Sequence, residues 1–252
     1  MPGELKAGKW EQWNFFAEEE GIRPYLPSTA LFSIQTLRSY LSMYELVFVK
    51  PDKGRGGRGV VKIWRRKEGG YAFIREKGRS TYCRTIDELY RKLMQGRNAQ
   101  GRYIIQEGIR LPLWRGRPFD IRLSMMRDNG CWKAVGALAR VAGPDSAITN
   151  IARGRGRVVN VRQALKSSLG LHERGLAAVE ADMEGIGHRV CQKFDEIDPY
   201  WQVGLDIAVD TNRKLWLIEA NTIVDQSLFA RLKDLSMYRE MQRITKTHTR
   251  SK

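Results

Sequence analysis

The chain has 252 residues, enough for one or two domains with a substantial core. No apolar run approaches the roughly 18–20 residues that span a bilayer, and no secretory signal opens the sequence. Cys83, Cys131 and Cys191 lie far apart with no C-x-x-C pair, which argues against a disulfide framework or zinc knuckle and for reduced thiols in a cytoplasmic protein. The 44 basic and 28 acidic residues leave a net charge of +16, so the surface either meets a polyanion or is basic throughout without a specific partner.

In chain order, residues 9–20 and 30–44 read as helices, with Leu26-Pro27-Ser28 as a helix start between them. The apolar run 46–49 ends at Lys50-Pro51 and reads as a strand. Residues 60–64 and 71–74 are β-branched and aromatic, and so also strands. Thr85 starts a helix as its N-cap, with Glu88 in the capping-box position. Residues 103–107 are again a strand. Residues 120–126 and 132–141 form an antiparallel pair across the turn Asp128-Asn129-Gly130. The longest amphipathic helix covers 171–197, its apolar positions Leu176, Val179, Met183, Ile186, Val190, Phe194 and Ile197 stepping by three or four. Strands 203–209 and 215–218 follow, joined by 210–213, and a helix over roughly 225–243 closes the chain. Meandering strands with helices set between them indicate an α+β fold rather than a doubly wound parallel sheet.

The stretch FVKPDKGRGGRGVVKI, residues 48–63, contains a literal G-x-G-x-x-G. A dinucleotide fingerprint must open a helix, whereas VVKIW after these glycines favours a strand. No Gly-Lys-Ser/Thr ends the run, so it is not a Walker A loop. The flanking apolar residues tie it into a sheet, unlike a disordered RGG arm. Strand, glycine loop and strand make a hairpin able to lay backbone N–H groups over phosphates. A protein kinase would also need H-R-D and D-F-G segments, and neither occurs.

Asp206 and Glu219 lie on the two late strands, 13 residues apart, so the hairpin sets Asp206 beside Glu219-Ala220-Asn221. Glu219 and Asn221 share a face of one strand. Two carboxylates and an amide oxygen suit Mg²⁺ held jointly with nucleotide phosphates. The plainer reading of the trio is a solvated strand end with ordinary surface acids.

Taken together, these segments resemble the ATP-grasp superfamily and, within it, the YheC/YheD group of spore-coat-associated proteins. The resemblance runs along nearly the whole chain. It rests on Gly8-Lys9-Trp10, Leu26-Pro27-Ser28-Thr29, Val49-Lys50-Pro51 with the glycines, Gln106-Glu107-Gly108-Ile109, Phe119-Asp120-Ile121-Arg122, Thr149-Asn150-Ile151-Ala152-Arg153-Gly154, Asp206 and Glu219-x-Asn221. It implies an ATP-grasp fold of two α+β subdomains gripping ATP. Residues 1–45 would be a short helical segment without a sheet, 46–110 the N-terminal subdomain with the glycine-rich loop, and 111–252 the C-terminal subdomain with the metal site and a basic tail.

By the same resemblance, Lys9, Lys50, Gly54, Gly56, Gly57, Gly59, Gln106, Glu107, Arg140 and Asn150 would contact ATP. Arg122 would be catalytic, stabilising the transferring phosphoryl group. Asp206, Glu219 and Asn221 would hold Mg²⁺, with Mn²⁺ as a substitute. Arg55 and Arg58 would add charge to the lid. The implied activity is an ATP- and Mg-dependent carboxylate–amine ligase working through an acyl phosphate, with an acidic peptide or polymer as acceptor, in a mother-cell cytoplasm or at a spore coat.

Such ligases carry a further N-terminal domain. Here only about 45 residues precede the first expected strand, so a second subunit, as in a homodimer, or a large substrate would complete the wall. The chain also departs from the group's pattern at Arg153-Gly154-Arg155-Gly156, where an arginine interrupts a glycine pair. Two other functions remain open: a non-catalytic nucleotide-binding protein of the coat or its assembly, and a nucleic-acid binder supported only by charge and the RG dipeptides.

Overall fold

The computed structural model describes residues 8–54, 56–75, 78–95, 101–143 and 156–250. Asn150, Arg55 and the segment carrying Arg153 and Arg155 lie outside the described residues.

Two antiparallel sheets face each other. The first contains β1 (Thr29–Leu31), β2 (Leu46–Pro51), β3 (Val61–Arg65), β4 (Tyr71–Arg75), β5 (Thr81–Cys83) and β6 (Tyr103–Glu107), in the order β1-β6-β2-β3-β4-β5. Its apolar face, with Val47, Val49, Val61, Ile63 and Ile105, packs on α2 (Ile34–Met43) and α3 (Ile86–Met94) through Leu37, Leu41, Leu89 and Leu93. The alternation of the pleat turns Phe48, Lys50, Lys62, Ile104 and Gln106 to the opposite face.

The second sheet contains β8 (Arg117–Asp128), β9 (Cys131–Val141), β10 (Arg157–Asn160), β11 (Gln202–Val209) and β12 (Leu215–Asn221), in the order β10-β9-β8-β11-β12, with the two-residue β7 (Leu113–Trp114) folded onto β8. Phe119, Ile121, Leu123 and Met125 of β8 point into a core built on α5 (Glu173–Asp195). The six positions Leu176, Val179, Met183, Ile186, Val190 and Phe194 are all buried there, with Ile197 packed at the edge. Helix and sheet touch so closely that a methyl on Gly187 would lie 2.7 Å from Met125 Sδ. The intervening residues Asp120, Arg122 and Ser124 face the other way; at Ser124 that side meets the C-terminal helix, since Gly136 opposite it lies against Met237.

Turn chemistry explains the hairpins. Asn129 (φ 49°) and Gly130 (φ 82°) both take the left-handed conformation that a two-residue hairpin requires. Asp210 pins the β11–β12 turn, its Oδ1 accepting the N–H groups of Asn212 and Lys214. Thr85 caps α3 by accepting the Glu88 N–H at 3.2 Å, while the Glu88 carboxylate takes the Arg84 N–H, one residue short of a reciprocal capping box.

Three expectations need correction. The second helix begins at Ile34, not residue 30, because Ser33 and Thr36 form the capping box. Residues 29–31 instead make β1, so the first 45 residues do contain a strand of the first sheet; three residues paired to β6 are too short to show a period. The closing helix splits into a 3-10 turn (Gln226–Arg231) and α6 (Ser236–Arg250), since Asp225 caps the first and Asp234 accepts the Ser236 N–H at the start of the second. A further helix, α4 (Val161–Leu169), runs between Asn160 as N-cap and the left-handed Gly170. No helix among the described residues is long and apolar enough to cross a membrane.

Candidate functional site

The first helix, α1 (Lys9–Ala17), lies where the two sheets meet. Lys9, Gln12, Trp13 and Phe16 recur at helical spacing and line one side of a cleft. Lys50 on β2, Ile104 and Gln106 on β6, and Leu217, Ile218 and Glu219 on β12 line the rest. Phe16 anchors the helix in the second core.

The helix has no side-chain cap of its own, since its N-cap is Gly8. Asp52, only 1% exposed at the foot of the glycine hairpin, performs that task. Its Oδ1 accepts the Trp10 N–H at 2.8 Å and its backbone carbonyl accepts the Lys9 N–H at 3.0 Å. Arg102 neutralises it, Nε to Oδ2 at 2.7 Å, and also pairs with Glu11. Gly8 is required by close approach: a Cβ there would sit 2.1 Å from Asp52 Oδ2. Gly8→Ala must therefore displace the cap and is expected to cost about 1–2 kcal/mol, read from the urea midpoint.

The hairpin after Asp52 is antiparallel, Val49 pairing with Val61, as VVKIW indicates. Gly56, Gly57 and Gly59 have φ between 69° and 75°, and a methyl on Gly59 would press within 2.8 Å of Pro51 Cγ.

Lys50 is half-buried on the cleft face, its Nζ donating to Gln106 Oε1 at 2.5 Å. Burial pushes its pKa down to about 8, Glu219 opposing the shift and Lys9 adding to it. Gln106 is buried and donates in turn to Thr29 Oγ1 at 2.9 Å. Glu107 accepts the Ser28 N–H at 3.2 Å. Lys62, opposite Phe48 on the same face, also has its pKa lowered by burial, and its ammonium meets no partner among the described residues. The sequence reading passed over it, although its position two residues from Val60 in an alternating strand was the available signal.

Across the cleft, the second sheet presents a row of alternating charge. Arg140 lies directly opposite Asp120, Arg122 opposite Asp206, and Asp206 opposite Glu219. Arg140 grips Asp120 with two hydrogen bonds, Nε to Oδ1 at 2.8 Å and Nη2 to Oδ2 at 2.6 Å, and reaches Asp206 Oδ2 at 3.0 Å. Burial alone would lower the Arg140 pKa, but Asp120 and Asp206 outweigh it and raise the value above the usual arginine range. Most of its donors thus face carboxylates.

Arg122 Nε is 2.9 Å from Asp206 Oδ1, a close ion pair whose atoms are nonetheless out of hydrogen-bond alignment. Its guanidinium passes over Gly204, where a Cβ would lie 2.5 Å from Nη1. Gly204 in turn faces Asn221, so the missing side chain leaves room for Arg122 beside the trio. Glu219 is paired with Lys9 at 3.0 Å, and the same Nζ donates to the Gly54 carbonyl at 3.0 Å.

Gln12, Asp52 and Gly204 were not singled out from the sequence, and Asp120 entered only as part of the Phe119–Arg122 segment. Gln12 and Asp52 take their roles from elements that the fold brings together, Ala220 and Trp10, while Asp120 and Gly204 depend on cross-strand register.

Among the described residues no three His, Cys, Asp or Glu side chains cluster as a metal site. The oxygen set is Asp206, Glu219 and the amide of Asn221. Its donor chemistry, two carboxylates and an amide oxygen, fits a hard divalent cation, and Asp206 Oδ1 is buried with an ion-pair contact to Arg122 but no aligned hydrogen bond.

Comparison with known proteins bears on the family and the fold. The chain is 23% identical over 231 residues to the endospore coat-associated protein YheD of Bacillus subtilis (strain 168), covering 88% of this chain and 49% of that protein. It is 24% identical over 223 residues to YheC of the same organism, covering 85% of this chain and 59% of that one. The chain thus spans about half the length of the curated relatives it matches. Among solved structures, the ATP-grasp ligase PsnB complexed with minimal precursor superposes with a TM-score of 0.53 at 11% identity, covering 93% of this chain and 59% of that chain, which shows a shared fold. Residues 3–247 match the family described as YheC/D like ATP-grasp, and the chain belongs to that family.

Proposed function

We propose that the protein binds Mg-ATP between its two sheets and uses it to join a carboxylate to an amine. The observation that carries this reading is the convergence of Lys9, Lys50 and Glu219, from three separate parts of the chain, on one cleft in a member of an ATP-grasp family, with Asp206 paired beside Glu219 and Arg122 beside Asp206. The bound Mg-ATP would supply the phosphoryl group: a carboxylate oxygen bonds to the γ-phosphorus as ADP leaves, and amine nitrogen then displaces phosphate.

In this reading residues 46–110 and 111–252 are the two jaws. The glycine hairpin covers phosphates with backbone N–H groups, and Lys50 and Lys9 supply point charges. Asp206, Glu219 and Asn221 hold the cation. Arg122, kept in place by Asp206 and by the space over Gly204, faces the oxygens on which charge develops. Arg140 and Asp120 orient Asp206 from behind, which makes them positioning residues rather than ligand contacts.

The net charge of +16 supports an anionic acceptor, such as an acidic peptide or polymer, whose binding would weaken as salt rises. The relatives' names, endospore coat-associated proteins, support looking for that acceptor among spore-coat components. ADP release from Mg-ATP across a panel of carboxylates and amines tests the ligase. Turnover that depends on both a carboxylate and an amine supports it. Mg-ATP binding without ADP release across the panel would favour a nucleotide-binding coat protein instead. Salt-sensitive RNA or DNA binding with no response to Mg-ATP would displace both.

A further inference from the structure

Among the described residues β12 is the last strand of its sheet, so one edge of it has no neighbouring strand there. Gln12 fills that place at one residue. Its Oε1 accepts the Ala220 N–H at 3.0 Å, and its Nε2 donates to the Ala220 carbonyl at 2.7 Å. A primary amide has one donor side and one acceptor side, so it can mimic one rung of a β-ladder. Ala220 lies between Glu219 and Asn221. Because neighbouring side chains leave a strand in directions set by its peptide planes, fixing both polar groups of Ala220 also fixes the aim of the two residues beside it.

The same helix is fastened at the other end to the glycine hairpin. Asp52 caps it through Trp10, and Lys9 bridges the Gly54 carbonyl and Glu219. Within one helical turn, α1 therefore grips both the foot of the lid and the strand opposite it. Docking of the helix does not depend on Gln12, since Phe16 is buried in the core and Trp13 Nε1 donates to the Pro27 carbonyl at 2.9 Å. Two well-formed hydrogen bonds to the backbone of one residue are thus surplus to attachment.

We propose that Gln12 is a positioning residue for Glu219 and Asn221, and that α1 couples the seat of the glycine hairpin to that strand. Occupancy beneath the lid then tightens the Ala220 rung, and a slack rung loosens the hold on a divalent cation. This inference rests on the reading of the cleft as a metal–nucleotide site.

The test uses the full chain, with Mn²⁺ and the non-hydrolysable analogue AMP-PNP as probes. Free Mn²⁺ is followed by electron paramagnetic resonance, and amide exchange is followed in the peptide containing Ala220. Gln12→Leu keeps the bulk and removes both bonds. Gln12→Asn, one methylene shorter, cannot span both groups and serves if the leucine variant fails to fold. Phe15→Leu, which trims a ring packed on Phe16 and Phe194 away from the cleft, is the control for general loosening of α1.

Both Gln12 variants are expected to weaken Mn²⁺ binding to the AMP-PNP complex roughly tenfold, the usual effect of losing a group that orients ligands. AMP-PNP affinity in EDTA should change less than twofold, and Phe15→Leu should match wild type for Mn²⁺. AMP-PNP in EDTA should slow exchange at Ala220 in wild type but not in the Gln12 variants. Wild-type Mn²⁺ affinity in the Gln12 variants, with only a lowered melting temperature, would overturn the positioning role and leave the site intact. If wild type takes up neither Mn²⁺ nor AMP-PNP, the reading of the site falls, and this inference with it.

Discussion

Asp206→Ala is expected to destabilise the protein by about 3–5 kcal/mol, the usual effect of stripping one partner from a buried ion pair. The carboxylate stands between two arginines whose side chains are 13% and 11% exposed, Arg122 and Arg140. Arg140 would retain Asp120, but Arg122 has no other carboxylate within ion-pair distance among the described residues. Two guanidinium groups would then share one poorly hydrated space. Urea unfolding reads the loss directly. The double variant Asp206→Ala with Arg122→Met should recover a large part of it, because both the charge and its missing partner are then gone. A loss under 1 kcal/mol in the single variant would mean that water reaches Arg122 freely and that the row of charge is a surface feature. The same substitution should abolish metal-dependent nucleotide binding, so stability and ligand binding have to be measured on protein shown to be folded.

Lys50→Met should behave in the opposite way. Burial disfavours the ammonium, so removing it is expected to leave stability at pH 7 unchanged or slightly raised, while Mg-ATP affinity falls roughly ten- to a hundredfold, the loss of one hydrogen bond to a charged group. The pH dependence has a definite sign. The pKa in the folded chain is about 8, against 10.5 for a free lysine. Between these values the unfolded chain carries the extra proton, so the contribution of Lys50 to stability is least favourable below about pH 8 and rises toward pH 10.5. The difference between wild type and Lys50→Met should show that rise even though other groups titrate in the same window. A variant both less stable at pH 7 and unimpaired in ATP binding would contradict the assignment. Loss of function with no loss of stability is the mark of a group held in an unfavourable place for its chemistry.

Much of the fold was readable because it follows from local pattern. The β8–β9 turn is set by Asn129 and Gly130, the main helix by its apolar steps, and the glycine hairpin by the strand formers after it. Pairing of Asp206 with Glu219 also followed from hairpin length. What escaped was set by partners distant in sequence. Strand β1 exists because three residues pair with β6, about 75 positions later. Asp52 looks like an ordinary loop acid until the helix it caps is brought against it, and Gln12 until an edge strand arrives beside it. Arg140 reads as a free cation in sequence, yet it is held by two carboxylates once β8, β9 and β11 align. Register across strands and the closure of α1 over the cleft decide these roles.

The central claim is that the cleft holds Mg-ATP with the cation on Asp206, Glu219 and Asn221. Calorimetric titration of ATP with and without Mg²⁺, on wild type and on Glu219→Ala with Asn221→Ala, tests it most directly. Mg²⁺ is expected to strengthen ATP binding in wild type, and the double variant to lose this increment while keeping the weaker metal-free binding. Equal Mg-ATP affinity in the two proteins would contradict the claim.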